Sequence, residues 1–313
     1  MGSQVVLERL WTPAQLQATS SEARTKRLRP PDYTPPIKAP PDPLATDPSR
    51  ESVPPPPVGS IRRVKPRNGD LPVALTFDLC ERADQTSGYD GGVVDALRRE
   101  RVPATFFAGG KWMRNHPERA MQLIADPLFE VGNHAWTHGN LRVISGEKTW
   151  QQITWAQQEF ALLRGDLALR AAEAGVPASE IARVPQQPSV FRFPYGVCSK
   201  EALLQAHELG LAAIQWDVIS GDANPAARPQ QLTRAVLTEV RPGSIVVFHA
   251  NGNGRGTEEA LPEIVQGLRA KGYRFVTVSE LLQSGEPVSA DECYELRPGD
   301  NRRYDKLFGE GTG

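Results

Sequence analysis

At 313 residues, with 39% hydrophobic and 23% charged side chains, the chain has the composition of a soluble globular protein. It has room for one large domain with appendages, or for two modest domains. Its 36 Lys+Arg against 37 Asp+Glu leave a net charge of -1, which removes the electrostatic reason to expect nucleic acid as a partner. No apolar run approaches the roughly 18 residues of a bilayer span, so no membrane span is expected. Oligomeric state is not written in any of these features.

The opening MGSQVVLERLWTPAQ lacks the charged-then-apolar order of a signal peptide. Fourteen of the 28 prolines fall within the first 66 residues, densest in PPDYTPPIKAPPDP and PPPP. Proline on this scale removes backbone donors and fixes φ. Residues 1–68 are therefore expected to form a Pro-rich N-terminal arm after a short helix, either laid over the domain or left as a solvated linker. From Leu71 the texture changes. LPVALTFDLC reads as a buried parallel strand that delivers a side chain at its C-terminal end. GGVVDALRRERV follows as a helix, ATFFAGG as a strand, PERAMQLIAD as a helix and FEVGNH as a strand. KTWQQITWAQQEFALLRGDLALRAAEAG is a long amphipathic helix that ends at Gly175. SVFRFPYG, AAIQWDVI and SIVVFHA are further strands, interleaved with the helices EALLQAHELG and PQQLTRAVLTEV. LPEIVQGLRAKG and the strand RFVTV close the series. Alternation of this kind makes a parallel α/β sheet, open or closed into a barrel, here over residues 69–285. The polar tail 286–313 is given no chemistry.

Chemistry in such a sheet belongs at the C-terminal strand ends, where Asp78, His134, Arg192, Asp217 and His249 fall. His134 and His138, in NHAWTHGN, have the spacing that sets two imidazoles on one face of a helical turn. On spacing alone the pair is either a metal chelate or a solvated couple. Cys198 and Cys293 read as small buried hydrophobes, or as one bridge if the protein is exported.

Five motifs in order resemble the polysaccharide deacetylases, carbohydrate esterase family 4 with its NodB homology domain. They are Thr76-Phe77-Asp78, His134 through His138, Arg192-Phe193-Pro194-Tyr195-Gly196, Trp216 through Asp222, and Phe248-His249. The likeness runs from about Leu71 to Leu282. It implies a distorted (β/α) barrel and a glycan substrate. It also implies Asp78 as catalytic base, Arg192 as the partner holding that base ionised, and His134 and His138 as ligands of a divalent metal, zinc first among them. Tyr195 would lend a backbone N–H to the oxyanion, and His249 would be the acid, oriented by Asp222 or Asp217. Trp136 and Trp216 are either core or apolar walls for a sugar face. The family's usual targets lie in cell walls or outside the cell, which agrees with a periplasmic or secreted protein whose leader has been removed; the residues themselves leave the compartment open.

The family's metal triad normally takes an Asp directly after the base, and Leu79 stands there instead. Three arrangements remain open: Cys80 as a thiolate ligand, Glu81 or Asp84 reaching in from the loop, or two histidines completed by water. The expected activity is removal of acetyl groups from N-acetylated sugars of the GlcNAc type. O-acetyl esterase activity on a xylan-like polymer and glycan binding without turnover are the rival readings.

Overall fold

The computed structural model describes residues 2–19, 21–36, 57–67 and 69–311. One sheet holds ten strands: β1 Ser60–Pro66, β2 Pro72–Leu79, β3 Ala104–Ala108, β4 Phe129–Asn133, β5 Val190–Phe191, β6 Ala212–Ile214, β7 Val218–Ile219, β8 Ile245–His249, β9 Arg274–Phe275 and β10 Gly285–Ala290. Their spatial order is β10-β1-β6-β5-β4-β3-β2-β8-β7, with β9 beside β2. All pairings are parallel except β10 with β1. An antiparallel bridge, Arg63–Ser244, ties β1 to the residue before β8, so the sheet curls into a distorted, incomplete (β/α) barrel.

Alternation along each strand decides which side chains enter the barrel. On β2, Val73, Leu75, Phe77 and Leu79 face the helices and join the large outer core, while Ala74 faces inward. Asp78 shares the parity of Ala74. On β8, Val246 and Phe248 face outward, Ile245 and Val247 inward, and His249 follows the inward set. These two strands are neighbours, and His249 stands in register with Asp78. The outer layer is helical. Thr257–Ala270, for example, buries Ala260, Leu261, Ile264, Val265 and Leu268 as one stripe, and it starts four residues before the expected Leu261. No helix among the described residues is long and apolar enough to cross a membrane.

Three expectations need correcting. β1 falls inside the stretch 1–68 read as an arm, yet its Ile61 and Val64 are fully buried in the barrel interior and it pairs with β6. The helix Gln4–Leu10 likewise joins the outer core through Val6 and Leu7, with Trp11 just beyond it. Proline density hides these apolar anchors. Residues 21–36 do lie over the domain: Lys26–Arg27 pairs with Gln85–Thr86, and the Leu28 amide donates to the Asp84 carbonyl at 2.7 Å. Residues 37–56, the rest of the Pro-rich stretch, lie outside the described residues. At the other end, β10 and the tail after it are built onto the barrel, so residue 285 is no boundary. Finally, AAIQWDVI is two strands. The Gln215 amide donates to Ile61 of β1, whereas the Asp217 amide donates to Ile245 of β8. Residues 215 and 217 have the same parity, so in one regular strand both amides would face the same neighbour; the chain changes neighbours between them instead.

Candidate active site

Asp78, the next-to-last residue of β2, lies inside the barrel and is 4% exposed. Arg192 follows β5 with the inward parity of Val190 and is fully buried. One of its guanidinium nitrogens donates to Asp78 Oδ1 at 2.8 Å and to Thr76 Oγ1 at 2.7 Å, and the other reaches the Gln215 carbonyl at 3.2 Å. Burial opposes ionisation of Asp78, but Arg192, His134 and His249 outweigh it and hold the carboxyl below its usual range.

His134 follows β4, and its amide donates to Ala108 of β3. Its Nδ1 lies 2.9 Å from the Arg192 carbonyl, which can only accept, so Nδ1 carries the proton and Nε2 the lone pair. That Nε2 is 3.3 Å from Cys80 Sγ and 3.8 Å from Asp78 Oδ2. The His138 ring centroid is 4.9 Å from that of His134. The stretch between them is not the helical turn expected. Ala135 and His138 take left-handed φ of 63° and 57°, and the loop is shaped by long-range side chains. Asn133 Oδ1 accepts from the Ala135 amide, and Gln152 Oε1 accepts from the Thr137 and Gly139 amides.

Cys80, His134 and His138 each offer a ligand atom, all within 4.8 Å of one another and all buried. His138 Nδ1 is buried with no hydrogen-bond partner among the described residues. Burial holds both imidazoles below their ordinary value, hence neutral and able to ligate. Burial, with Asp78 adding to it, pushes the Cys80 thiol well up. A thiol and two neutral imidazoles, one of them with an orphaned nitrogen, fit a borderline-soft divalent ion such as zinc. Strand geometry explains why position 80 is in this group and position 79 is not: Leu79 faces the helices, and Cys80 returns to the side of Asp78.

His249 is held by Asp222, whose Oδ1 lies 2.9 Å from Nδ1 and whose Oδ2 accepts from the His249 amide at 2.7 Å. Thr257 Oγ1 also donates to Oδ2, fixing the carboxylate. Burial alone would discharge His249, but Asp222 raises it to about 8. Asp78, Cys80 and His249 offer atoms within 4.8 Å of one another.

Other expected members sit elsewhere. Asp217 precedes β7 and bonds to Ser244 Oγ, the Ile245 amide and Arg241 at the opposite end of the barrel, so only Asp222 supports His249. Glu81 is fully buried away from the cluster, its oxygens taken by Lys111 at 3.0 Å, Asn115 and the Ser87 amide. Asp84 pairs with Arg82 at 2.8 Å. Trp136 is core rather than a sugar wall, with no exposed surface, 6.0 Å from Trp155 and under Arg114. Trp216 is buried beside Arg192 and against Gly196, where a Cβ would meet its ring at 2.7 Å. Tyr195 reaches the site: its ring centroid lies 4.3 Å from His138, and its φ is 58°. Cys198 and Cys293 form a disulfide, the second of the readings open to them. No motif marks the tail contacts near Tyr195; in the sequence only a Cys198–Cys293 pairing points to them.

Fold and site together define an α/β-barrel protein carrying, at the strand ends of one mouth, a carboxylate, a thiol and three imidazoles, three of which could hold a metal ion. A model of the polysaccharide deacetylase domain matches residues 65–171. The chain is 32% identical over 212 residues to a chitooligosaccharide deacetylase of Bradyrhizobium, covering 66% of this chain and 84% of that protein. It is 29% identical over 231 residues to a peptidoglycan-N-acetylglucosamine deacetylase of Bacillus cereus, covering 72% and 95%. A family 4 carbohydrate esterase from Streptomyces lividans, solved in complex with acetate, shares the fold at TM-score 0.53 and 27% identity over 70% of this chain and 97% of that one. A family 4 pseudoenzyme from Bacillus anthracis does so at TM-score 0.60 and 24% identity over 74% and 71%. The chain belongs to the polysaccharide deacetylase family.

Proposed function

We propose that this protein is a metal-dependent hydrolase that removes acetyl from N-acetylglucosamine-type residues of an oligo- or polysaccharide and releases acetate. The observation that carries this reading is the pairing on β2 and β8: a carboxylate and an imidazole in register, beside a thiol and two further imidazoles. Relatives named for the deacetylation of chitooligosaccharide and of peptidoglycan N-acetylglucosamine support it.

Cys80, His134 and His138 would hold the metal, probed first as Zn2+. Bound there, it would supply a lowered water pKa and a polarised acetyl carbonyl. Asp78, kept ionised by Arg192, takes the proton of the attacking water. As the acetyl carbon becomes tetrahedral, the backbone N–H of Tyr195 faces the developing oxyanion. His249 gives its proton to the sugar nitrogen as the C–N bond breaks, so acetate and a free amine leave. Asp78 and His249 are pushed in opposite directions by their surroundings, which suits a base and an acid. That a cationic acid is built in favours the amide over an acetyl ester, whose alcohol leaves more readily. Binding without turnover would have no use for the charged pair.

The direct test is acetate release from N-acetylated chito-oligomers with and without chelator. Turnover that chelator abolishes and zinc restores is expected. Undiminished turnover in metal-free protein overturns the metal assignment, and no acetate from any acetylated glycan overturns the function.

The third ligand has its own readout. Cobalt-loaded protein is expected to show near-ultraviolet thiolate-to-metal charge transfer that disappears in Cys80→Ser, with metal affinity at least about 10-fold weaker. A spectrum unchanged by the substitution would leave two histidines and water. The pH profile tests the acid. The His249 imidazolium is complete well below about 8 and is lost as pH rises through that value, so kcat/KM should fall on the alkaline side there. In Asp222→Asn the main raising partner is gone, leaving Asp78 alone to oppose burial and Arg192. The alkaline limb should then move down, to or below the ordinary imidazole value of about 6.5.

A further inference from the structure

Tyr195 and Gly196 are consecutive residues with φ of 58° and 62°. For tyrosine that conformation is strained and persists only where neighbours hold it. Several of the groups that hold this turn come from the far end of the chain. Phe308 stacks on the Tyr195 ring with centroids 4.4 Å apart and planes at 19°. The Tyr195 hydroxyl donates to the Gly311 carbonyl at 3.1 Å. Asn301, fully buried, donates to the Gly196 carbonyl and to that of Cys293.

This strap is itself pinned on the site side. Cys293 is disulfide-bonded to Cys198, two residues beyond Gly196. Arg142, four residues after His138, donates to Asp305 at 2.9 Å and to Asn301 at 2.8 Å, and the Asn140 amide donates to the Glu310 carbonyl at 2.7 Å. The strap thus grips both the turn carrying Tyr195 and the loop carrying His138, whose rings lie edge to face at 4.3 Å.

We infer that residues 293–311 are a working part of the site, with Phe308 and Asn301 as positioning residues that fix the Tyr195 backbone and the His138 ring. The inference rests on the deacetylase reading for its kinetic arm alone. Its metal arm stands without it.

The test is Phe308→Ala in the full chain, with three readouts: kcat and KM for acetate release, zinc affinity by competition titration, and thermal midpoint. An outward tilt of Tyr195 and His138 by a fraction of an ångström should lower kcat about 10–100-fold with KM changed far less, and should weaken zinc binding about 10-fold. Phe308→Tyr, which keeps the stacked ring, should retain both. A lowered midpoint with parental kcat and zinc affinity would mean a merely structural tail and would overturn the inference. If Phe308→Ala does not fold, Gly311→Val serves instead. Gly311 has φ 75°, and a Cβ there would meet the Tyr195 ring at 2.7 Å, so the same two losses are expected and parental values overturn the inference equally. If the parent protein releases no acetate at all, the function fails, while zinc affinity still decides the strap.

Discussion

Replacing Asp78 by Asn is expected to lower acetate release about 10²–10⁴-fold, the range a positioned general base contributes. The amide keeps the shape and can still accept from Arg192, so substrate binding should change little and the loss should appear in kcat. Stability should fall as well. Arg192 is fully buried, and among the described residues its one charged acceptor is Asp78; its other acceptors, Thr76, Ile214 and Gln215, are neutral. Removing one partner of such a buried pair costs about 3–5 kcal/mol, and the surviving hydrogen bond puts the expectation near the lower end. Urea unfolding measures that term separately from the kinetics. Activity within about 10-fold of the parent in a folded Asp78→Asn protein would remove Asp78 from the role of base.

His134→Ala should be more severe for metal than any change behind the ligands. It deletes one of two imidazoles, and it also deletes the link between Cys80 Sγ at 3.3 Å and the Arg192 carbonyl at 2.9 Å, which ties the metal donors to the residue holding the base. Zinc affinity is expected to fall by more than the roughly 10–100-fold typical of a lost supporting contact, and acetate release to fall with it. His116→Ala is the matched control. His116 Nε2 bonds to the Ser87 carbonyl and the ring stacks on Trp112, outside the cluster, so zinc content and turnover should stay at parental values. Dialysis followed by elemental analysis of the two variants compares them directly. Equal zinc content in both would place the ion elsewhere.

Much of this site was legible in the sequence because strand alternation is local. Asp78, Arg192 and His249 each stand at a strand end, and parity carries them inward. The same rule, applied one residue further, separates Leu79 from Cys80. What escaped reading depends on contacts far apart in the chain. Asp217 looked like a strand-end acid, but Gln215 and Asp217 bond to different neighbouring strands, which moves Asp217 to the other end of the barrel. The His134–His138 spacing suggested a helical turn, yet Gln152 and Asn133 impose a loop. Glu81 was a candidate ligand until Lys111, thirty residues on, is seen to claim it. Apolar anchors in a proline-rich opening were hidden by composition, and the tail became part of the site through a disulfide whose pairing the sequence left open.

Anomalous diffraction at the zinc edge, from crystals of the full chain soaked in zinc, tests the centre of this account most directly. A single strong peak bonded by the imidazoles of residues 134 and 138 and the sulfur of residue 80, beside the carboxylate of residue 78, is the predicted result. A peak on other side chains, or none at saturating zinc, would contradict it.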